Sequence, residues 1–511
     1  MDNTNGQLKK GAILSYVNLA LSSLIPLLYT PIMLRMLGEA EYGLYSLSGA
    51  AVGYLSLLSF GFGSTILRYL SLYRAKGEVE NERKAFGFFL LVYTIVAVLV
   101  MAGGVILSNN IEGIFHRGLT PGELLKMKKL VLIMAFSTAI TFPVSVFSSV
   151  VMAHERYVFR KLIEMLSTIL APVANLIALY LGYSSVGLAV AGVVTHTLML
   201  PIYAYYCFSV LKIYPIVTVM PWSVVSEMLR FTGFVFLATI VDMLFWSTDK
   251  LLLGAMTSSI AVAVYNIGGT FNGMVMSVSS ALMSILSPRV TAMVAHEEEA
   301  ENFTSLFIKV GRLQYILVAL LVSGFTVFGQ TFIRLWAGEA YKDSYWIAIL
   351  TMFPLCIPLI QNTGVSIVTA MNKHALRSVV YLIIAIANVI STALIIPYMG
   401  GIGAALCSAI SYLLGQGLIM NLFYWKKVGI DIPRFWKNIL SMSGVPAVML
   451  AGGLLLQKYI SLTNWLGFFC GVILYTVAYC VGMYAFAMDS YEKSILLGAV
   501  NQIRKRLKGK P

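Results

Sequence analysis

Residues 231–256 read FTGFVFLATIVDMLFWSTDKLLLGAM, an apolar run long enough to cross a bilayer that nevertheless carries Asp242, Asp249 and Lys250. A charge at the bilayer centre costs about 3 kcal/mol on insertion scales, so such side chains belong against protein or a wet cavity. In one continuous helix Asp249 stands two turns beyond Asp242, with Trp246 between them on nearly the same stripe, and Lys250 is turned about 100° away. The chemistry open to this set is binding: carboxylates that accept a proton or a cation, and an ammonium that meets an anion. Two readings of Asp242 stay open, a site that takes H+ or Na+, or a structural acceptor for Asn266 or Asn272 in the next run.

The elements that hold these residues are membrane-spanning. The 511 residues are 59% hydrophobic and 11% charged, against about 25% charged in soluble chains. About fourteen apolar runs of roughly 20 residues recur, from 12–34 and 42–66 through 231–256 and 263–287 to 438–457 and 464–487. The expected fold is an all-α polytopic membrane protein. The run opening at Gly11 is too long for a secretory signal peptide and is expected as a retained first helix.

Most of the 36 Lys and Arg residues fall in alternate loops, such as Arg68 to Lys84, Arg156 to Lys161, the set Arg289, Lys309 and Arg312, and Lys426 to Lys437. The positive-inside rule then puts both termini in the cytoplasm, and the net charge of +14 reads as topology and affinity for anionic lipid, not as a nucleic-acid footprint. The longest outer loop, about 109–129, is too short to be a domain. The acidic stretch 296–301 reads as a solvated loop, and 489–511 as a basic amphipathic helix on the inner leaflet. The five cysteines sit in apolar runs at no metal or disulfide spacing.

An internal repeat sets the expected architecture. Pro143 matches Pro358, Ala153 matches Ala370, Arg160 matches Arg377 and Gly187 matches Gly403, each about 217 residues on. That interval holds six runs, an even number, so the two copies enter the membrane with the same sidedness. The expected domains are an N-terminal six-helix lobe at 1–215, a second at 216–425, and an added helix hairpin with a basic tail at 426–511.

No phosphate loop, no HExxH and no paired CxxC occurs, so neither a cofactor nor a metal is expected, and ATP hydrolysis is not. The turn Arg35-x-x-Gly38-x-x-x-Tyr42-Gly43-Leu44-Tyr45, the stretch Asp249-Lys250-Leu251-Leu252-Leu253-Gly254, Tyr265, and Pro288-Arg289 closing the eighth run, together with the repeat and the hairpin, resemble the polysaccharide flippases. These are Wzx-type translocases of the MOP superfamily, which also holds the MATE multidrug exporters and the lipid II flippases.

The resemblance implies export of an undecaprenyl-pyrophosphate-linked oligosaccharide from the inner to the outer leaflet of the bacterial cytoplasmic membrane. The route is alternating access between two lobes, with polysaccharide polymerase or assembly proteins as further partners. It implies a cavity lined by the first, second, seventh and eighth helices, on which Arg35, Arg68, Lys250 and Arg289 are the cations available for a pyrophosphate. The plainer account of Arg68 and Arg289 is interface snorkelling, and of Lys250 a local pair with Asp249. Competing readings are a lipid II or sporulation-type flippase, a cation-coupled MATE-like exporter, and a membrane polymerase or ligase. The last needs a large outer loop that this chain lacks.

Overall fold

The computed structural model describes residues 2–218, 220–295, 300–371, 374–459, 464–495 and 497. Among these the regular elements are helices: α1 (Asp2–Leu37), α2 (Glu39–Gly53), a 3-10 turn (Tyr54–Ser59), α3 (Phe62–Ala75), α4 (Val79–Phe115), α5 (Pro121–Ala153), α6 (Tyr157–Tyr180), α7 (Ser184–Tyr205), α8 (Trp222–Trp246), α9 (Thr248–Met256) and α10 (Ser259–Ala295). There follow α11 (Ala300–Trp336), α12 (Ser344–Ile360), α13 (Asn362–Ala370), α14 (His374–Tyr412), the short α15 (Asn421–Phe423) between two π-helical turns, α16 (Ile432–Met442), α17 (Gly444–Tyr459) and α18 (Trp465–Gly482). Nine helices among the described residues are long and apolar enough to cross a membrane, or up to eleven if each bent pair is one span. The bent pairs join α12 to α13 at 44° and α16 to α17 at 40°.

Local chemistry sets the ends of these helices. Thr120 caps α5, accepting from the Glu123 amide, while the Glu123 carboxylate accepts from the Thr120 amide at 2.9 Å and Pro121 opens the helix. With α4 running to Phe115, the loop expected at 109–129 shrinks to a turn. Gly400 interrupts α14 with a kink at φ 53° and ψ −137°, a region that favours glycine, and so divides it into two helical runs. Pro288 and Arg289 do not close their helix, because α10 continues to Ala295. Residues 296–299 and 498–511, which hold most of the acidic loop and of the basic tail, lie outside the described residues.

Two compact units result: Met1–Asn266 with Ala385–Ala404, and Ile267–Ile384 with Ala405–Pro511. Between apolar helices in lipid the drive is close packing, not burial from water. In the first unit Phe147 packs edge-on against Phe86 at 5.4 Å and Phe208 at 5.7 Å, and Tyr93 against Phe142 at 5.6 Å. In the second Phe307 lies 4.7 Å from Phe435 and 5.7 Å from Tyr424.

Arg312, read from sequence as a loop cation, is instead buried in α11 at 7% exposure. Its guanidinium donates to both oxygens of buried Glu492, at 2.6 and 2.9 Å, and to the Ala487 carbonyl at 3.1 Å. This fork fixes the segment after α18 to the second unit.

Candidate functional site

The charged run is two helices, not one. α8 ends at Trp246, Ser247 takes φ −116° and ψ −28°, and α9 begins at Thr248. The break parts the two carboxylates, so the single stripe expected from helical spacing does not form. Asp242 is exposed on α8, whereas Asp249 is 1% exposed in the first turn of α9. A carboxylate in a first turn is favoured by the helix dipole, and the Tyr265 hydroxyl donates to Asp249 Oδ2. Lys250 is half-buried beside it.

The second apolar run is broken as well, and the two breaks meet. After α2 the chain tightens into the 3-10 turn and passes through Phe60 (φ 50°) and Gly61 (φ 74°) before α3. Tyr54, which opens that turn, donates its hydroxyl to the Met243 carbonyl at 3.2 Å, and its oxygen pairs with the Thr248 hydroxyl. Both ends of the Ser247 break are thereby held by one side chain. Beyond it, Phe60 packs on Phe236 at 5.0 Å, and Thr65 meets Thr232 at 2.8 Å, with Thr232 donating to the Met228 carbonyl.

At the far end of α2 the packing is closer still. A Cβ on Gly43 would stand 1.8 Å from the Ser259 carbonyl oxygen, so only glycine admits this approach. Asn266 donates to the Tyr42 hydroxyl at 2.6 Å, and the Ser259 hydroxyl to Glu123 at 2.5 Å. Glu41 gathers Lys126, Ser184 (2.9 Å) and Ser185 (2.5 Å). Asn272, the other residue read as a partner for Asp242, donates to Thr351 at 2.5 Å.

The structure thus brings Asp249, Lys250 and Tyr265 to the start of α9 and does not bring all the cations there. Arg35 is exposed in the last turn of α1 and Arg68 is exposed on α3. The helix between them, α2, is about 22 Å long. Arg289 lies in α10 with its side chain outside the described residues. Among the described residues no three His, Cys, Asp or Glu side chains converge as a metal site. Sequence reasoning missed Tyr54, Thr248, Glu41, Lys126 and Glu123; Gly53 and Gly61 flanking Tyr54 were the one available sign of a break.

The sequence profile of a family described as polysaccharide biosynthesis protein matches residues 8–294, more than half of the chain. The chain belongs to the polysaccharide biosynthesis protein family. Among family relatives, the membrane protein EpsK of Bacillus subtilis (strain 168) is 20% identical over 511 aligned residues, covering 94% of this chain and 97% of that protein. A Shigella flexneri protein described as an O-antigen transporter is 19% identical over 427 residues, covering 81% and 97%. The fold is that of the MOP superfamily. The lipid II flippase MurJ in an inward closed conformation matches with a TM-score of 0.72 at 15% identity, over 95% of this chain and 99% of that one. An inward-facing MATE multidrug transporter matches with a TM-score of 0.60 at 14% identity, over 83% and 99%.

Proposed function

We propose that this family member is a flippase, not an enzyme, that exports lipid-linked oligosaccharide units from the inner to the outer leaflet for surface polysaccharide synthesis. The observation that carries the reading is a groove of about 400 Å3 in the second unit, between α11, α17 and α18, walled by Val327, Phe328, Val448, Leu456, Leu474 and Tyr475. Such a wall suits a long hydrocarbon chain, while the polar residues at the helix breaks suit a hydrophilic head group, which cannot enter hydrocarbon without partners.

In this reading lobes 1–215 and 216–425 alternate in access, the 426–511 hairpin holds the lipid, and both termini lie on the cytoplasmic side of a bacterial cytoplasmic membrane. Lys250 meets the pyrophosphate, with Arg35, Arg68 and Arg289 along the route. Asp249 is structural through Tyr265, and Asp242, exposed on α8, is the carboxylate assigned to H+ or Na+. The hairpin favours a flippase over a MATE-like exporter: the MurJ match takes in 95% of this chain and the MATE match 83%. Lipid II remains the second reading of the substrate.

Deletion of the gene followed by lipid extraction tests the reading. Lipid-linked oligosaccharide is expected to accumulate on the inner leaflet while surface polysaccharide falls. Unchanged surface polysaccharide with no accumulated intermediate would overturn it.

A further inference from the structure

Glu82, in the first turn of α4, and His154, which caps α5, are both buried, at 2% and 9% exposure. His154 Nδ1 stands 2.9 Å from the Val150 carbonyl and 3.6 Å from Glu82 Oε1. The nitrogen that faces a carbonyl must carry the hydrogen, so the ring donates to Val150 and its free lone pair is on Nε2. Among the described residues no donor reaches Glu82 Oε1 within hydrogen-bond distance. The charged groups that face the pair are Arg74, from the last turn of α3, and Arg156, which precedes α6.

An ionised carboxylate with a buried oxygen lacking a donor is expensive, and a proton on that oxygen removes the charge. We propose that Glu82 and His154 form a proton-binding site within the N-terminal helices, with one exchangeable proton on Glu82 Oε1. When that proton leaves to water, the carboxylate draws the His154 Nδ1 hydrogen from Val150, so the imidazole stops capping α5 and bridges to α4. The difference between the two acceptors is the difference between 2.9 and 3.6 Å. No oxidant, metal or second reactant takes part.

The site lies beside the connector that leads to α8. Arg83 Nε donates to the Tyr214 carbonyl at 3.0 Å, and the Ile216 amide donates to the Arg83 carbonyl at 3.0 Å. Ile213 and Met220 of the connector share a core with Phe86 and Val150. Proton occupancy at Glu82 therefore bears on the seat of the connector. In the proposed topology this is the cytoplasmic end, so the site samples cytoplasmic pH.

Infrared difference spectroscopy on the full-length protein in lipid nanodiscs, titrated from acid to neutral pH, tests the site without any substrate. A protonated-carboxyl band is expected in the wild type, absent from Glu82→Gln, and present in Glu82→Asp and His154→Gln with its midpoint moved by about one pH unit. Thermal melts select the variants that are folded. The same band, titrating unchanged in folded Glu82→Gln, overturns the proposal, as does a midpoint indifferent to His154→Gln. Neither outcome bears on whether the protein flips a lipid.

Discussion

Tyr54 donates its hydroxyl to the main-chain carbonyl of Met243 at 3.2 Å, joining the break in the second apolar run to the break in the seventh. The Met243 carbonyl also keeps its helical bond from the Ser247 amide at 2.9 Å, so the Tyr54 hydroxyl is a second donor to it and anchors the end of α8 without replacing a lost backbone bond. The Thr248 hydroxyl completes the staple from the other side of the break.

Tyr54→Phe is therefore expected to lower stability by about 0.6–1.7 kcal/mol, from the average to the largest value measured for hydrogen bonds between membrane helices. Denaturation of Tyr54→Phe, Thr248→Val and the double variant checks this. The double variant should lose less than the sum of the two singles, because both remove the same bond. Additive losses would mean the two side chains act apart.

Gly43→Ala should cost more than its single methyl suggests. The new Cβ would lie 1.8 Å from a main-chain oxygen of Ser259, which no rotamer change can relieve. Backbone must move, at about 1–3 kcal/mol. Ser259→Ala leaves that carbonyl in place, so the melting temperature of Gly43→Ala should be no higher in the double variant.

Much of the fold was legible because lipid imposes one rule throughout: long apolar runs, with cations in the loops. The helix breaks were not. The break after α2 left one local sign, Gly53 and Gly61 on either side of the turn, whereas Ser247 is compatible with a helix and is held by tertiary bonding that no local pattern carries. Arg312 misled for a related reason. Its neighbours Lys309 and Arg289 made it look like a loop cation, and the carboxylate that buries it lies 180 residues away. The candidate site was half legible. Asp249 and Lys250 stand at the start of α9 beside the break, whereas Arg35 and Arg68 are on exposed helix surfaces.

Glu492→Gln or Arg312→Leu alone should destabilise by about 3–5 kcal/mol, since each strands one buried charge. Arg312→Lys should not restore the loss, because an ammonium cannot reproduce the fork to both Glu492 oxygens. The double variant Arg312→Leu with Glu492→Leu should recover most of it. Melting temperature, with limited proteolysis after α18, reads all four.

Stability should also fall in mild acid through His154. Burial pushes its pKa down to about 4, whereas an unfolded histidine titrates near 6.5. Between these values the unfolded chain binds more protons than the folded one, so stability rises with pH across the window. It is complete above about 6.5 and lost progressively toward 4. In a Glu82→Gln background, which removes the other titrating member of the pair, His154→Gln should flatten the melting temperature over that range, and a slope equal to that of Glu82→Gln alone would assign the titration elsewhere.

Lys250→Ala is the sharpest test of the site. A hydrogen bond to a charged group contributes about 1.5–3 kcal/mol, so transport of a pyrophosphate-linked lipid in proteoliposomes should fall roughly tenfold or more. Lys250→Arg keeps the charge and should retain much of the rate, while Asp249→Asn leaves Lys250 in place and should act chiefly on stability through Tyr265. If Lys250→Ala transports as fast as the wild type but melts lower, the ammonium is part of the α9 scaffold and the head group is held by other cations.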